Sequence, residues 1–155
     1  EADMKKAMFS LLMLLSLLTI ADVDFLKTSG CGYDFLSSVL NIRTVSGKEV
    51  IAKVVETGRG DPAFNGCRIT IGITQIGDIP ADSLPVWYKT GINVFEVKEI
   101  AMKNGVLSIF CLEHTGNYIE NEDGPPNAEI AEVRYNLSID KGSEPLKKII
   151  RRVLK

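Results

Sequence analysis

The side chains best suited to nucleophilic or redox chemistry are three cysteines, Cys31, Cys67 and Cys111, and the only histidine, His114. A cysteine–histidine nucleophile needs its thiolate held against the imidazole. Cys111 and His114 stand three apart, and on one strand that spacing puts them on opposite faces. A structural cysteine beside a loop histidine is therefore expected. The cysteines are spaced by 36 and 44 residues, which fits no metal-ligand motif. Glu120, Glu122 and Asp123, with Asn121 and Asn127, offer oxygen ligands of the kind calcium takes. Their spacing is not that of an EF-hand loop, so a solvated acidic loop is expected.

Other chemistry-bearing patterns are absent. There is no phosphate-cradling glycine loop, no zinc-ligand cluster and no nucleophile elbow. The sequence thus predicts no catalytic residue, no metal and no cofactor, and the chain does not read as an enzyme. Arg59-Gly60-Asp61 spells an adhesion tripeptide, but glycine with Asp61-Pro62 is ordinary turn chemistry. Asn136-Leu137-Ser138 matches a glycosylation acceptor yet falls in an expected strand. A net charge of −2 gives no bulk attraction for nucleic acid.

The elements that must carry these residues begin with Ala7 to Ala21, fifteen residues without an ionisable side chain. As a helix the stretch would be about 22 Å long at ~1.5 Å per residue, shorter than a ~30 Å hydrocarbon core. Lys5 and Lys6 before it and the small Ala21 at its end fit a secretory signal peptide. Two other readings are a retained membrane anchor and an all-round apolar helix buried within the fold or between protomers. Glu1 to Asp3, ahead of Met4, read as a remnant of expression. Residues 4–21 are then the signal-like or buried helix, and residues 22–155 a single β-rich domain.

Strand signals fill that domain. Phe35 to Val45 suits a strand or a helix equally. Val50, Ile51, Val54 and Val55 carry β-propensity. Cys67, Ile69, Ile71 and Ile73 alternate with polar or small residues, the clearest strand of the chain. Val86 to Lys89 reads as a short strand. Asn104-Gly105 between two apolar runs predicts a tight hairpin, because both residues tolerate positive φ. Glu113 to Asn127 reads as a long polar loop, and Ala131 to Ile139 as a last alternating strand. Leu146, Ile149, Ile150, Val153 and Leu154 recur at helical spacing, with Lys147, Lys148, Arg151 and Arg152 opposite. A C-terminal amphipathic helix capped by Ser143 is expected. The fold class that follows is mainly β: a small antiparallel barrel or sandwich of five to six strands, with an N-terminal apolar helix and a C-terminal amphipathic helix.

This layout suggests roles for particular residues. If the Cys67 and Cys111 strands are neighbours, the two Cα atoms come within the ~4.4–6.8 Å that a disulfide needs. Such a bridge would stabilise by about 4 kcal/mol in the loop-entropy account. Cys31, in Ser-Gly-Cys-Gly, is then the odd thiol or a lipidation site. Trp87 and Tyr88 beside Pro85 form an aromatic contact site or plug one end of the β-domain.

One segment is similar to a known family. Cys67-Arg-Ile-Thr-Ile, then Leu84-Pro-Val-Trp-Tyr-Lys-Thr-Gly-Ile-Asn-Val-Phe, then Cys111 resembles small envelope lipoproteins of Bacteroidetes-type bacteria. The likeness spans about residues 66–111. It implies a small exported β-domain and no assigned reaction. At the lipid-attachment site the chain departs from the pattern, because Asp22, Asp24 and Lys27 separate the apolar run from Cys31.

Sequence and resemblance together predict an exported binding or interaction module of the periplasm or cell envelope, without catalytic activity. Its partner would be a protein or small ligand of the envelope, with membrane association through the N-terminal helix. The competing expectation is a self-assembling homo-oligomer that keeps the apolar helix buried between protomers.

Overall fold

Residues alternating between apolar and polar cover one face of a sheet with hydrocarbon and leave the other to water. Val86–Val94 and residues 131–139 follow this rule, whereas Val54, Val55, Glu56 and Thr57 are buried in succession. The computed structural model describes residues 20–28, 38–58, 66–77, 84–121 and 124–154. They form ten strands: β1 (Ile20–Asp22), β2 (Phe25–Thr28), β3 (Val39–Ser46), β4 (Val50–Gly58), β5 (Cys67–Gln75), β6 (Val86–Val94), β7 (Glu96–Lys103), β8 (Val106–Asn121), β9 (Gly124–Ile139) and β10 (Leu146–Val153).

Two antiparallel sheets result. The first has the order β1-β10-β9-β8-β7, the second β2-β6-β5-β4-β3. Their inward residues join in one buried cluster, with Ala52, Val54, Ile69, Ile71 and Ile73 from the second sheet and Leu107, Ile109, Val133, Leu137 and Ile149 from the first. Each valine, leucine or isoleucine among them contributes roughly 1.5–3 kcal/mol on leaving water, which offsets the entropy of ordering the strands.

Two stretches of chain run through both sheets. Only Val23 and Asp24 separate β1 from β2; Val23 N donates to Ile149 O at 3.0 Å and Gly91 N to Asp24 O at 2.9 Å. Only Phe95 separates β6 from β7, and its N–H donates to Leu112 O at 2.8 Å. The corners therefore keep their backbone groups satisfied while the strand changes sheet. Between the edge strands β3 and β7, Arg43 donates to Val97 O at 2.8 Å and Lys98 O at 3.4 Å, tying the sheets together there.

Several expectations hold. Cys67, Ile69, Ile71 and Ile73 all face the core. Asn104 and Gly105 adopt φ of 50° and 73° in the β7–β8 turn. Ala131 to Ile139 is part of β9.

Others need correction. There are ten strands rather than five or six, and no helix among the described residues. The expected C-terminal helix is β10, paired with β9 from Leu146↔Ile139 to Val153↔Val133. A β-bulge between Leu146 and Lys148 lets Leu146 and Ile149, three apart, both face the core. That bulge imitates helical spacing, and the available edge of β9 decides the outcome. The N-terminal helix lies outside the described residues up to Thr19, while Ile20 and Ala21 belong to β1. Part of the expected polar loop after Glu113 is instead the far half of a long hairpin, since β8 and β9 run on to Asn121↔Gly124.

Candidate functional site

The cysteines come first. Cys67 on β5 pairs with Val94 of β6, and Cys111 on β8 pairs with Val97 of β7. The continuous β6–β7 stretch therefore runs between them, and the strand adjacency expected for a bridge is not present. Both residues are buried thiols, with no disulfide joining them. Cys67 Sγ lies 3.9 Å from Glu56 Oε2, a weak S–H···O contact. Burial pushes the Cys111 thiol far up, and the negative fields of Glu113, Cys67 and Glu56 add to it against Arg43. A thiol so held stays protonated and is a poor nucleophile. His114 faces outward, its ring edge-to-face with Phe95 at 5.1 Å. Cys111 and His114 thus occupy opposite faces, as their spacing predicts.

The aromatic pair also divides between faces. Tyr88 is buried, packs edge-to-face on Phe25 at 5.8 Å and accepts a bond from Leu146 N at 3.4 Å. Trp87 points the other way and lies across Gly72, where a Cβ would meet its ring at 2.6 Å. Glycine there leaves room for the indole on the outer face of the second sheet. Cys31, the Arg59–Asp61 tripeptide, Glu122 and Asp123 lie outside the described residues. Among the described residues no group of three His, Cys, Asp or Glu is placed to hold a metal ion.

The sequence reading missed two inward-facing polar networks. Glu113 follows Leu107, Ile109 and Cys111 on the inner face of β8 and is 7 % exposed. Tyr135 Oη donates to Glu113 Oε1, and Arg151 Nε and Nη2 donate to Oε2 at 3.0 and 2.7 Å. The second network centres on Glu56, also buried. Arg43 Nε donates to its Oε1 at 2.8 Å and Asn41 Nδ2 at 3.0 Å. Both carboxylates have cationic partners, as buried charge requires. Burial, then the bond to Glu113, hold the Tyr135 phenol well above its ordinary pKa. These groups are locked by one another and serve the fold. The signal for them was the period of two itself: Glu113 continues the Cys111 face and Arg151 the Ile149 face.

Two surface features remain. A cleft of about 530 Å³ opens where the β3–β4, β7–β8 and β9–β10 turns meet. Val50, Met102 and Ile139 line it, together with the exposed Glu49–Lys141 ion pair at 2.9 Å. The β8–β9 hairpin is the other. β7 accompanies β8 only as far as Leu112, and β10 accompanies β9 only from Val133 onward. From Glu113↔Ala131 to Asn121↔Gly124 the two strands, among the described residues, pair with each other alone. This ribbon exposes Ile119 (56 %) and Ile130 (45 %), and Thr115 and Asn117 donate to Glu129 Oε2 at 2.7 and 2.9 Å. Comparisons with protein-family models, curated proteins and solved structures find no match.

Proposed function

We propose that this protein is an exported, non-catalytic interaction module of the cell envelope that presents the β8–β9 ribbon to a protein partner. The two sheets are read as the faces of one small sandwich, closed along one side by the β1–β2 and β6–β7 corners and along the other by Arg43. The reading of the address draws on Lys5, Lys6 and the apolar run that precedes β1, and on the resemblance of residues 66–111 to envelope lipoproteins.

The observation that carries the binding role is the ribbon beyond Leu112 and Glu132. It leaves both of its edges unpaired among the described residues. Unpaired strand edges are templates for an added strand, with main-chain bonds giving affinity and neighbouring side chains giving specificity. Two strands alone are marginal in water, so a partner strand stabilises the ribbon as well as itself.

The test uses the native chain and a variant in which residues 115–129 are replaced by Asn-Gly, which closes the His114↔Ile130 pair with a two-residue turn. Fractionation should place both in the envelope. Cross-linking in the producing cells should give a discrete partner band that the variant loses while its core still melts cooperatively. Full-length protein in the cytosol refutes the address; an unchanged band in the variant refutes the site.

The same bare edges favour one other reading, self-assembly, in which a second copy supplies the added strand and residues 7–19 stay buried between protomers. Light scattering then shows a large assembly that collapses on deleting residues 4–19, and a monodisperse monomer rules it out.

A further inference from the structure

The outer face of the first sheet carries a row of four residues across four strands. Ile20 of β1 stands opposite Arg152 of β10, Arg152 opposite Arg134 of β9, and Arg134 opposite Phe110 of β8. Val133 and Tyr135 on either side of Arg134 point into the core, and Arg151 and Val153 on either side of Arg152 turn inward to Glu113 and the core, so both arginines point away from it. Arg134 lies over the Phe110 ring, its guanidinium carbon 4.2 Å from the centroid. The aromatic face holds that guanidinium plane in place.

Two like charges directly opposite each other on neighbouring strands repel, and folding places them so only when something offsets the cost. Among the described residues no ion pair supplies the offset: no carboxylate pairs with Arg134 or Arg152, and the Nε of each is buried without an acceptor. Arg43 and Arg151, which point inward, each bind a buried glutamate instead. Beyond Phe110 runs a groove of about 220 Å³, lined by Leu112, Leu154, Glu99, Glu132 and Lys98, whose charge is met by Glu96 at 2.7 Å. Its two carboxylates repel an anion on that side, which leaves the space between the guanidinium groups as the favourable position.

We propose that Arg134 and Arg152 clamp an oxyanion, a carboxylate or phosphate group, on the outer face of the first sheet. The guanidinium fork matches the paired oxygens of such groups, and two forks on adjacent strands present donors from both sides of one anion. A free small anion and the phosphate of an anionic lipid headgroup share this chemistry.

The experiment takes the full chain and its R134Q, R152Q and K148Q variants. Lys148 is exposed on the same sheet and paired with Asp22, so K148Q controls for general surface charge. Melting is followed against inorganic phosphate at constant ionic strength. Flotation is followed with vesicles of phosphatidylcholine alone and of phosphatidylcholine with phosphatidylglycerol. In phosphate-free buffer R152Q should melt at or above wild type, because it relieves the repulsion and leaves the Arg134–Phe110 contact in place. Phosphate should raise the melting point of wild type and K148Q, with affinity about tenfold or more weaker in each arginine variant. That result assigns a free oxyanion. Binding only to vesicles holding phosphatidylglycerol, lost in both arginine variants, assigns a lipid headgroup. Binding to neither probe, arginine variants that bind like wild type, a K148Q loss as large as theirs, or an R152Q variant that melts below wild type without phosphate overturns the proposal.

Discussion

Replacing Arg151 by methionine tests how the inner face of the first sheet is held together. The change keeps an unbranched stem and removes the two donors that reach Glu113 Oε2 at 3.0 and 2.7 Å. It leaves a carboxylate whose side chain is 9 % exposed with one remaining donor, Tyr135. Stripping one partner from a fully buried ion pair costs about 3–5 kcal/mol. Here the arginine side chain is 29 % exposed, so water reaches that end and screens the loss. An expected cost of roughly 2–3 kcal/mol follows from discounting the buried-pair value for this exposure. For a chain of this length that is about 5–10 °C in Tm. Urea unfolding of Arg151→Met should show a lower midpoint with an unchanged slope. The companion is the triple variant Arg151→Met, Glu113→Leu, Tyr135→Phe. It removes the carboxylate, its cation and its phenol together, and so leaves no buried charge or orphaned hydroxyl. It should return to within about 1 kcal/mol of wild type, because an apolar replacement of a whole buried network is often neutral. A single variant as stable as wild type, or a triple variant no better than the single one, would refute the reasoning.

Further outcomes follow from the same interior. Burial holds Cys111 and Tyr135 above their ordinary pKa values. Each therefore keeps its proton in the folded state after the unfolded chain has begun to lose it. Stability should be full below about pH 8.5 and fall above it, by up to about 1.4 kcal/mol per pH unit for each group as it begins to titrate. Denaturant midpoints measured from pH 7 to 10.5 check this, and Cys111→Ala should flatten the first part of the fall. In native protein at pH 8, Cys67 and Cys111 should resist iodoacetamide and react only after denaturation; rapid native labelling of either, seen by peptide mapping, would contradict their burial. Gly72→Ala should push the Trp87 indole off the sheet, since the new Cβ meets three ring atoms at 2.6 to 2.9 Å. Trp87 is the only tryptophan, so its emission should shift to the red, at a cost of about 1–3 kcal/mol for the overpacked site.

The β character and much of the core are legible in local residue patterns. The alternation at Cys67–Ile73 and at Ala131–Ile139 is a local property with one geometric solution, a strand with one face buried. Asn104-Gly105 set its turn for an equally local reason, the ease of positive φ. Cys111 and His114 were separable from spacing alone. Tertiary structure decided the rest, because the deciding partners are distant in sequence. Leu146–Val153 has helical spacing and becomes a strand because a bulge rephases it and β9 offers an edge. Glu113 to Asn121 has no apolar period worth the name, yet stays extended because β8 and β9 are already in register where it begins. Arg151, 38 residues beyond Glu113, and Arg43, 13 residues before Glu56, carry no local sign of the carboxylates they neutralise. A period of two carries Glu113 onto the inner face with Cys111, but it does not name the cation that meets it there. The same limit hid the change of sheet at Val23–Asp24 and at Phe95. It also placed Cys67 and Cys111 on either side of one stretch of chain rather than on neighbouring strands.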